Sequence, residues 1–348
     1  MLIKSKYKQV NLSTTQQEVL KNIINKIYTK EYSLVNIPCI CGKESNGEIV
    51  TNSFAHNFLN TSINVVLCEN CGVIRSTPYF SQDAIVDFYT NYYRNIHDNP
   101  NSSLEDKFKI SLNGSIFTGN STYAFLKPHI EKYKKNHNKE KLKIFEIGCG
   151  YGGNLYNFHQ DGEEVFGCDY GEEGLHVAKS KGMQYMFIGG MNILKPYGKP
   201  DVVIINHVLE HIVDLKAFFK EFKELISENT LVYIGVPSLN SIALRYKLNI
   251  YKYFMIYHVW HFTNNTLDAL MGKEGFEKLE SNEIIQSVYK YTGEAKEISL
   301  LSEYNKNRLM LQIFDNLFRK QQREKIYRKS TVGLIGMLVV LLGLLVFV

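Results

Sequence analysis

Residues 143–153 read Lys143-Ile144-Phe145-Glu146-Ile147-Gly148-Cys149-Gly150-Tyr151-Gly152-Gly153. The run predicts a strand over Lys143–Ile147, a sharp glycine turn and then a helix. Glycines let the backbone approach a ligand closely, with a helix N-terminus behind it. Gly148, Gly150 and Gly153 spell the dinucleotide-binding fingerprint, and Asp169 follows Gly153 by sixteen residues. Glu146 speaks against a dinucleotide, because a carboxylate beside the loop repels a pyrophosphate and attracts an ammonium group.

Working outward, further strands are expected at Glu164–Cys168, Gln184–Ile188, Asp201–Asn206 and Leu231–Val236. Between the last two, Leu215, Phe218, Phe219, Phe222, Leu225 and Ile226 recur at helical spacing. This alternation predicts an α/β domain, a doubly wound and mostly parallel sheet with helices on both faces. No internal repeat is present. Upstream, Ser13 and Gln16 form a capping box for a helix over 13–29 whose apolar face is Val19, Leu20, Ile23, Ile24 and Ile27. A second helix is expected over Ser81–Tyr93 and a third around Ser121–Lys135. The polar, turn-rich stretch Asn95–Gly119 reads as a linker.

The chain has 348 residues, 45% of them hydrophobic and 22% charged, which excludes a disordered protein. Its net charge of +5 is too small to argue for nucleic acid. That charge is concentrated: Arg319, Lys320, Arg323, Lys325, Arg328 and Lys329 stand against Glu324 alone. Thr331–Val348 then follows without a charge, 18 residues that would span roughly 27 Å as a helix. A C-terminal transmembrane helix is expected, with the basic run facing anionic lipid. The first fifteen residues hold no apolar core of a secretory signal. The expected location is therefore the cytoplasmic side of a membrane, held by a C-terminal single-pass anchor.

Four of the six cysteines form two turns, Cys39-Ile40-Cys41-Gly42 and Cys68-Glu69-Asn70-Cys71-Gly72. Cys39, Cys41, Cys68 and Cys71 suit a tetrahedral structural zinc, because four thiolates leave no open position for catalysis. The one-residue gap of the first pair is tighter than usual, and His56 is the nearest substitute ligand. A redox Cys-x-x-Cys is the rival reading, without the βαβ setting it needs.

His207-Val208-Leu209-Glu210-His211 spells an inverted zinc-protease motif, but the first histidine follows a strand directly and no third ligand is evident. At this point the chain resembles the class I S-adenosylmethionine-dependent methyltransferases. Glu146-Ile147-Gly148-Cys149-Gly150-Tyr151-Gly152 matches their first motif, and Gly167-Cys168-Asp169 the acid that grips the ribose. Asp201–Asn206 with Val208-Leu209-Glu210-His211 matches their fourth strand and the stretch after it. Trp260-His261-Phe262-Thr263 and Glu274-Gly275-Phe276 are also typical. A subset of these enzymes, many acting on sugars, carries an N-terminal zinc module. The likeness covers about residues 36–285.

The resemblance implies a Rossmann-like seven-stranded sheet and S-adenosylmethionine as cofactor. Its contacts would come from Glu146, Gly148, Cys149, Gly150, Gly152, Asp169, Tyr170, Asn192 and Asn206, with Asn192 standing where an acid often meets adenine. His211, His261 and Glu210 are the candidates for moving a proton off the acceptor. The same stretch is similar to metal-assisted O-methyltransferases, with His207 in place of their first glutamate. The expected layout is an N-terminal helix (1–35), a cysteine module (36–80), a linker with helices (81–140), a methyltransferase domain (141–290), a basic helical segment (291–330) and the tail (331–348). The expected partner is a small-molecule acceptor, a nucleotide- or lipid-linked sugar by resemblance. An RNA or protein methyltransferase, a non-catalytic scaffold and a dehydrogenase are the alternatives.

Overall fold

The computed structural model describes residues 13–42, 47–52, 63–93, 102–113 and 122–345, those from 327 on by backbone alone. Helix α1 (Thr14–Tyr28) starts on the expected box: Gln16 N–H donates to Ser13 Oγ at 3.2 Å and Ser13 N–H to Gln16 Oε1 at 3.0 Å. Its buried face is Val19, Leu20, Ile23 and Ile24. Strands β1 (Leu34–Val35), β2 (Gly47–Asn52), β3 (Asn64–Cys68), β4 (Ile74–Thr77) and β5 (Tyr79–Phe80) build the cysteine module. Helices α2 (Gln82–Asn91), α3 (Leu104–Asn113) and α4 (Thr122–His137) follow. The stretch expected to be a linker thus contains a helix. Phe108 of α3 joins Tyr151 and Val177 in a small apolar cluster, and that burial stabilises α3.

The central unit runs β6 (Lys143–Ile147), α5 (Gly153–Gln160), β7 (Glu164–Asp169), α6 (Glu172–Ser180), β8 (Met186–Ile188), β9 (Val202–Asn206), α7 (Leu215–Leu225) and β10 (Leu231–Gly235). After it come β11 (Trp260–His261), α8 (Asn264–Lys273), β12 (Phe276–Ser281), β13 (Gln286–Tyr291) and α9 (Glu303–Leu345). Seven strands form one sheet in the order β12-β13-β10-β9-β6-β7-β8. The strands from β6 to β10 pair in parallel, while β13 runs antiparallel to both β10 and β12. Alternate residues go to opposite faces. Ile144, Val165 and Val202 pack with Leu126, Leu155 and Phe158, whereas Phe145, Phe166 and Val203 share the other core with Phe218, Phe219 and Phe222. Both faces are therefore covered, as a doubly wound sheet requires.

The cysteine module is stitched to this unit through β11, which pairs antiparallel with β4 at Trp260↔Arg75 and His261↔Ile74. A sheet in the order β11-β4-β3-β2 results. Helix α9 lies back on the same sheet: Leu311 and Phe318 join Val50, Leu67 and Tyr253 in one core.

The C-terminal anchor needs correction. Among the described residues no helix is long and apolar enough to cross a membrane. Residues 331–345 instead extend α9, a helix of 43 residues that begins in the folded body. The lack of a spanning helix overturns the expected single-pass anchor and the location built on it.

Candidate functional site

Three left-handed glycines shape the turn after β6, with φ of +73° at Gly148, +51° at Gly150 and +76° at Gly152. Gly148 N–H and Cys149 N–H both donate to Cys168 O, at 2.8 and 3.0 Å, which ties the loop to the end of β7. A Cβ on Gly148 would lie 2.4 Å from Val208 Cγ2, and one on Gly152 would lie 2.8 Å from Ala178 Cβ, so both are glycine by necessity. Around Gly150 there is open space. Cys149 turns its thiol away from that space, toward Gly167 and Met186.

Asp169 closes β7. Its Oδ2 accepts from Gly150 N–H at 2.9 Å and its Oδ1 from Gly171 N–H at 2.7 Å. The carboxylate is thereby fixed in direction, and its oxygens are of the kind that accept from hydroxyl donors. Glu146 is fully buried behind the loop, where Oε1 accepts from Asn154 Nδ2 at 2.6 Å and Oε2 has no hydrogen-bond partner. Burial pushes its carboxyl up to about 8. An orphaned carboxylate oxygen of this kind waits for a donor, and a cationic one suits it best.

A cleft of about 690 Å³ opens in front of the loop, within the size range of small-molecule sites. Gly148, Asp169, Tyr170 and Asn192 line one side. Helix α2 contributes Gln82, Ile85, Val86, Tyr89 and Thr90, Tyr93 follows just beyond the helix, and His207 and His211 also line the cleft. Asn206 is half-buried at the end of β9, its Oδ1 against Gly235. Thus the structure brings Gly148, Asp169, Tyr170, Asn192 and His211 onto one cleft. Glu146, Cys149, Gly150 and Gly152 form the framework behind it.

The His207–His211 stretch is not a helix. His207 sits at φ +56°, and Leu209–His211 form a single tight turn, so the inverted protease geometry is absent. Glu210 is buried, with Oε1 3.2 Å from His207 Nδ1 and 3.8 Å from His211 Nε2. Its Oε2 is buried without a hydrogen-bond partner. One nitrogen or oxygen each of Glu210, His211 and His258 lies within 4.8 Å of the others. His211 Nδ1 lies 2.7 Å from Tyr89 Oη and 2.6 Å from Tyr257 O. His261 is elsewhere: it is buried against Tyr253 and Phe254, off the cleft, with neither ring nitrogen hydrogen-bonded. Burial holds its pKa down at about 3, so it stays neutral and has no acceptor within reach.

The four cysteines converge. Cys39 Sγ lies 3.4 Å from Cys71 Sγ and Cys41 Sγ lies 4.0 Å from Cys68 Sγ, and all four sulfurs fall within 4.8 Å of one another. Thiolates ~2.3 Å from a tetrahedral metal are roughly 3.8 Å apart, so the cluster has the right size. Gly42 and Gly72, both at φ +70°, make the turns. The one-residue gap of the first pair does not prevent the approach. His56 lies outside the described residues.

Sequence reasoning missed Tyr89 and Tyr93 as cleft-lining groups and Tyr257 as a neighbour of His211. The signal was the Tyr89/Tyr93 pair at i,i+4 spacing in the helix expected over Ser81–Tyr93. That spacing describes a core stripe as well, and nothing local says which wall a helix will join.

Residues 122–281 match the sequence profile of a family described as a methyltransferase domain. A curated relative, the ubiquinone biosynthesis O-methyltransferase of Pelagibacter ubique, is 27% identical over 120 residues, covering 32% of this chain. The chain spans about half the length of that relative (50%). Similar solved structures include the CurJ carbon methyltransferase, with 14% identity, coverage of 55% of this chain and 58% of that one, and a TM-score of 0.41. Another is the magnesium protoporphyrin IX methyltransferase of Synechocystis, with 15% identity, coverage of 61% and 100%, and a TM-score of 0.40.

Proposed function

We propose that the methyltransferase domain of residues 122–281 moves a methyl group from S-adenosylmethionine to a hydroxyl of a small-molecule acceptor bound between the sheet and α2. The observation that carries this reading is that two fixed polar groups line one cleft: Asp169, clamped by Gly150 and Gly171, and His211, beside buried Glu210. The residues fit the cofactor: the clamped carboxylate suits ribose hydroxyls, open space at Gly150 admits close approach, and the orphaned Glu146 oxygen suits an ammonium. When bound, the cofactor supplies an electrophilic methyl group on a sulfonium.

The chain's own residues supply the rest. The glycine loop and Asp169 bind and orient, and Asn192 and Tyr170 border the same side of the cleft. His211 Nε2 takes the acceptor's proton as its oxygen is alkylated, and Glu210 stabilises the imidazolium. A hydroxyl acceptor is supported by the O-methyltransferase relative. Tyr89 and Tyr93 offer ring faces suited to a sugar or a phenol. The four cysteine sulfurs would hold a structural zinc, and the module they close contributes α2 as the acceptor wall.

The test is calorimetric titration of the full chain with S-adenosylmethionine and, separately, with NADH. Binding of the first that weakens at least tenfold in Asp169→Ala supports the reading. Binding of NADH instead overturns it and returns the loop to a dinucleotide.

A further inference from the structure

We propose that Tyr89, on the helix leaving the cysteine module, is a positioning residue that holds His211 with its hydrogen on Nδ1 and its lone pair on Nε2. The inference rests on His211 acting as the base, as proposed above. It extends that reading by making the cysteine module part of the machinery.

Three atoms form a tight group. His211 Nδ1 is 2.6 Å from Tyr257 O, Tyr89 Oη is 2.7 Å from Nδ1, and the same Oη is 3.1 Å from Tyr257 O. A backbone carbonyl only accepts. At 2.6 Å Nδ1 must therefore be the donor, since two facing lone pairs would repel. The Tyr89 hydroxyl has one hydrogen, and the carbonyl is its acceptor. That choice turns the phenol lone pairs toward the Nδ1 hydrogen. The carbonyl opposes the tautomer with a bare Nδ1, and the phenol oxygen, its hydrogen held by that carbonyl, accepts from Nδ1–H and adds to the preference, leaving Nε2 as the basic nitrogen on the side of Glu210.

The module holds every part of this group. Tyr79 Oη donates to Ile256 O at 2.6 Å and Ser76 Oγ donates to His258 O at 2.9 Å, so the carbonyls of both residues flanking Tyr257 are pinned. Ser76 N–H donates to Val259 O at 2.7 Å, and Val259 N–H donates to Glu210 O at 2.8 Å. Tyr89 meets the imidazole edge-on, with ring centroids 5.6 Å apart. Among the described residues, titratable groups facing the ring include Glu210, His258, Tyr93 and Tyr257, and His207 reaches it through Glu210.

The test needs no acceptor. Full-length chain labelled with ¹⁵N-histidine is examined by two-bond ¹H–¹⁵N correlation, and His211 is assigned as the signals lost in His211→Gln. Wild type should show Nδ1 protonated and Nε2 bare. In Tyr89→Phe the Tyr257 carbonyl still favours Nδ1–H, but the Nε2-protonated form should gain population. The titration midpoint of His211 should also fall by about half a unit, because an oxygen that accepts from the imidazolium is gone. Tyr93→Phe, just beyond the same helix and against the same ring, should change neither. A wild-type His211 protonated on Nε2 overturns the proposal, as does a Tyr89→Phe protein that keeps the wild-type tautomer and midpoint. The wild-type spectrum decides the tautomer even where a variant folds poorly. The titration with S-adenosylmethionine reports separately on the methyltransferase reading.

Discussion

Glu146 and Asp169 end neighbouring strands of one sheet, yet their surroundings make them different acids. Asp169 receives two backbone N–H groups, while Glu146 is buried with one oxygen left over. Burial lifts the Glu146 carboxyl from 4.5 to about 8. A folded pKa above the unfolded one favours the fold most at low pH, and that contribution is lost as pH rises from about 4.5 through 8. Binding an ammonium next to Glu146 requires the carboxylate, so below about pH 8 a proton must leave first. Affinity for S-adenosylmethionine should thus rise with pH, by up to tenfold per unit. It should peak near 8 and fall beyond, where an α-amino group (ordinarily ~7.7–8.0) loses its own proton. In Glu146→Gln the acid limb should vanish; titrations at pH 6.5, 7.5 and 8.5 check this. An unchanged acid limb in the variant would remove Glu146 from cofactor binding. His261 marks the limit of residue-level reading. Its motif was plain in the sequence, but whether a histidine faces a cleft or a core depends on the strand pairing that buries it.

At the scale of elements, the two cysteine turns look alike in sequence and differ in what they touch. Gly42 and Gly72 share φ +70°, but among the described residues a Cβ on Gly42 meets nothing within 4 Å, whereas one on Gly72 lies 2.5 Å from the Glu303 carbonyl carbon at the start of α9. Asn307 Nδ2 also donates to Gly72 O at 2.9 Å. Gly42→Ala should cost only the left-handed conformation, roughly 1–2 kcal/mol. Gly72→Ala should cost more, because a helix must move. Thermal melts of both variants measure the difference, and equal losses would show that α9 yields freely. The contrast also explains what was legible. The strands β6, β7, β9 and β10 and helix α7 announce themselves by local apolar period, and their bounds match the expected ones within a residue or two. The hairpin of β12 and β13 did not, because β12 is exposed along most of its length and carries no apolar alternation. Helix α3 was hidden for a similar reason: its stability comes from packing on Tyr151 and Val177, distant in sequence.

In the whole molecule, cofactor loop and acceptor wall belong to different parts. The glycine loop is held by β6, β7 and α5, whereas the acceptor wall and the Tyr257 carbonyl are held by the cysteine module through α2, β4 and β11. A metal in the four-cysteine cluster would stabilise the second part far more than the first, since structural zinc is worth many kcal/mol to a small module. The purified full chain should therefore contain one zinc, released by a thiol-directed mercurial and absent from Cys68→Ser/Cys71→Ser. Removing it should lower the melting temperature and abolish the single-tautomer signal of His211, because Tyr89 and the 256–259 peptide lose their support. S-adenosylmethionine binding should persist within about threefold, for Gly150 and Gly171, whose N–H groups hold Asp169, both lie inside the α/β unit. Metal analysis, melting curves, histidine spectra and cofactor titration on the same sample separate these outcomes. A zinc-free native protein would refute the metal. Loss of cofactor binding together with the metal would refute the division of labour, since the sheet would then depend on the module for its own loop.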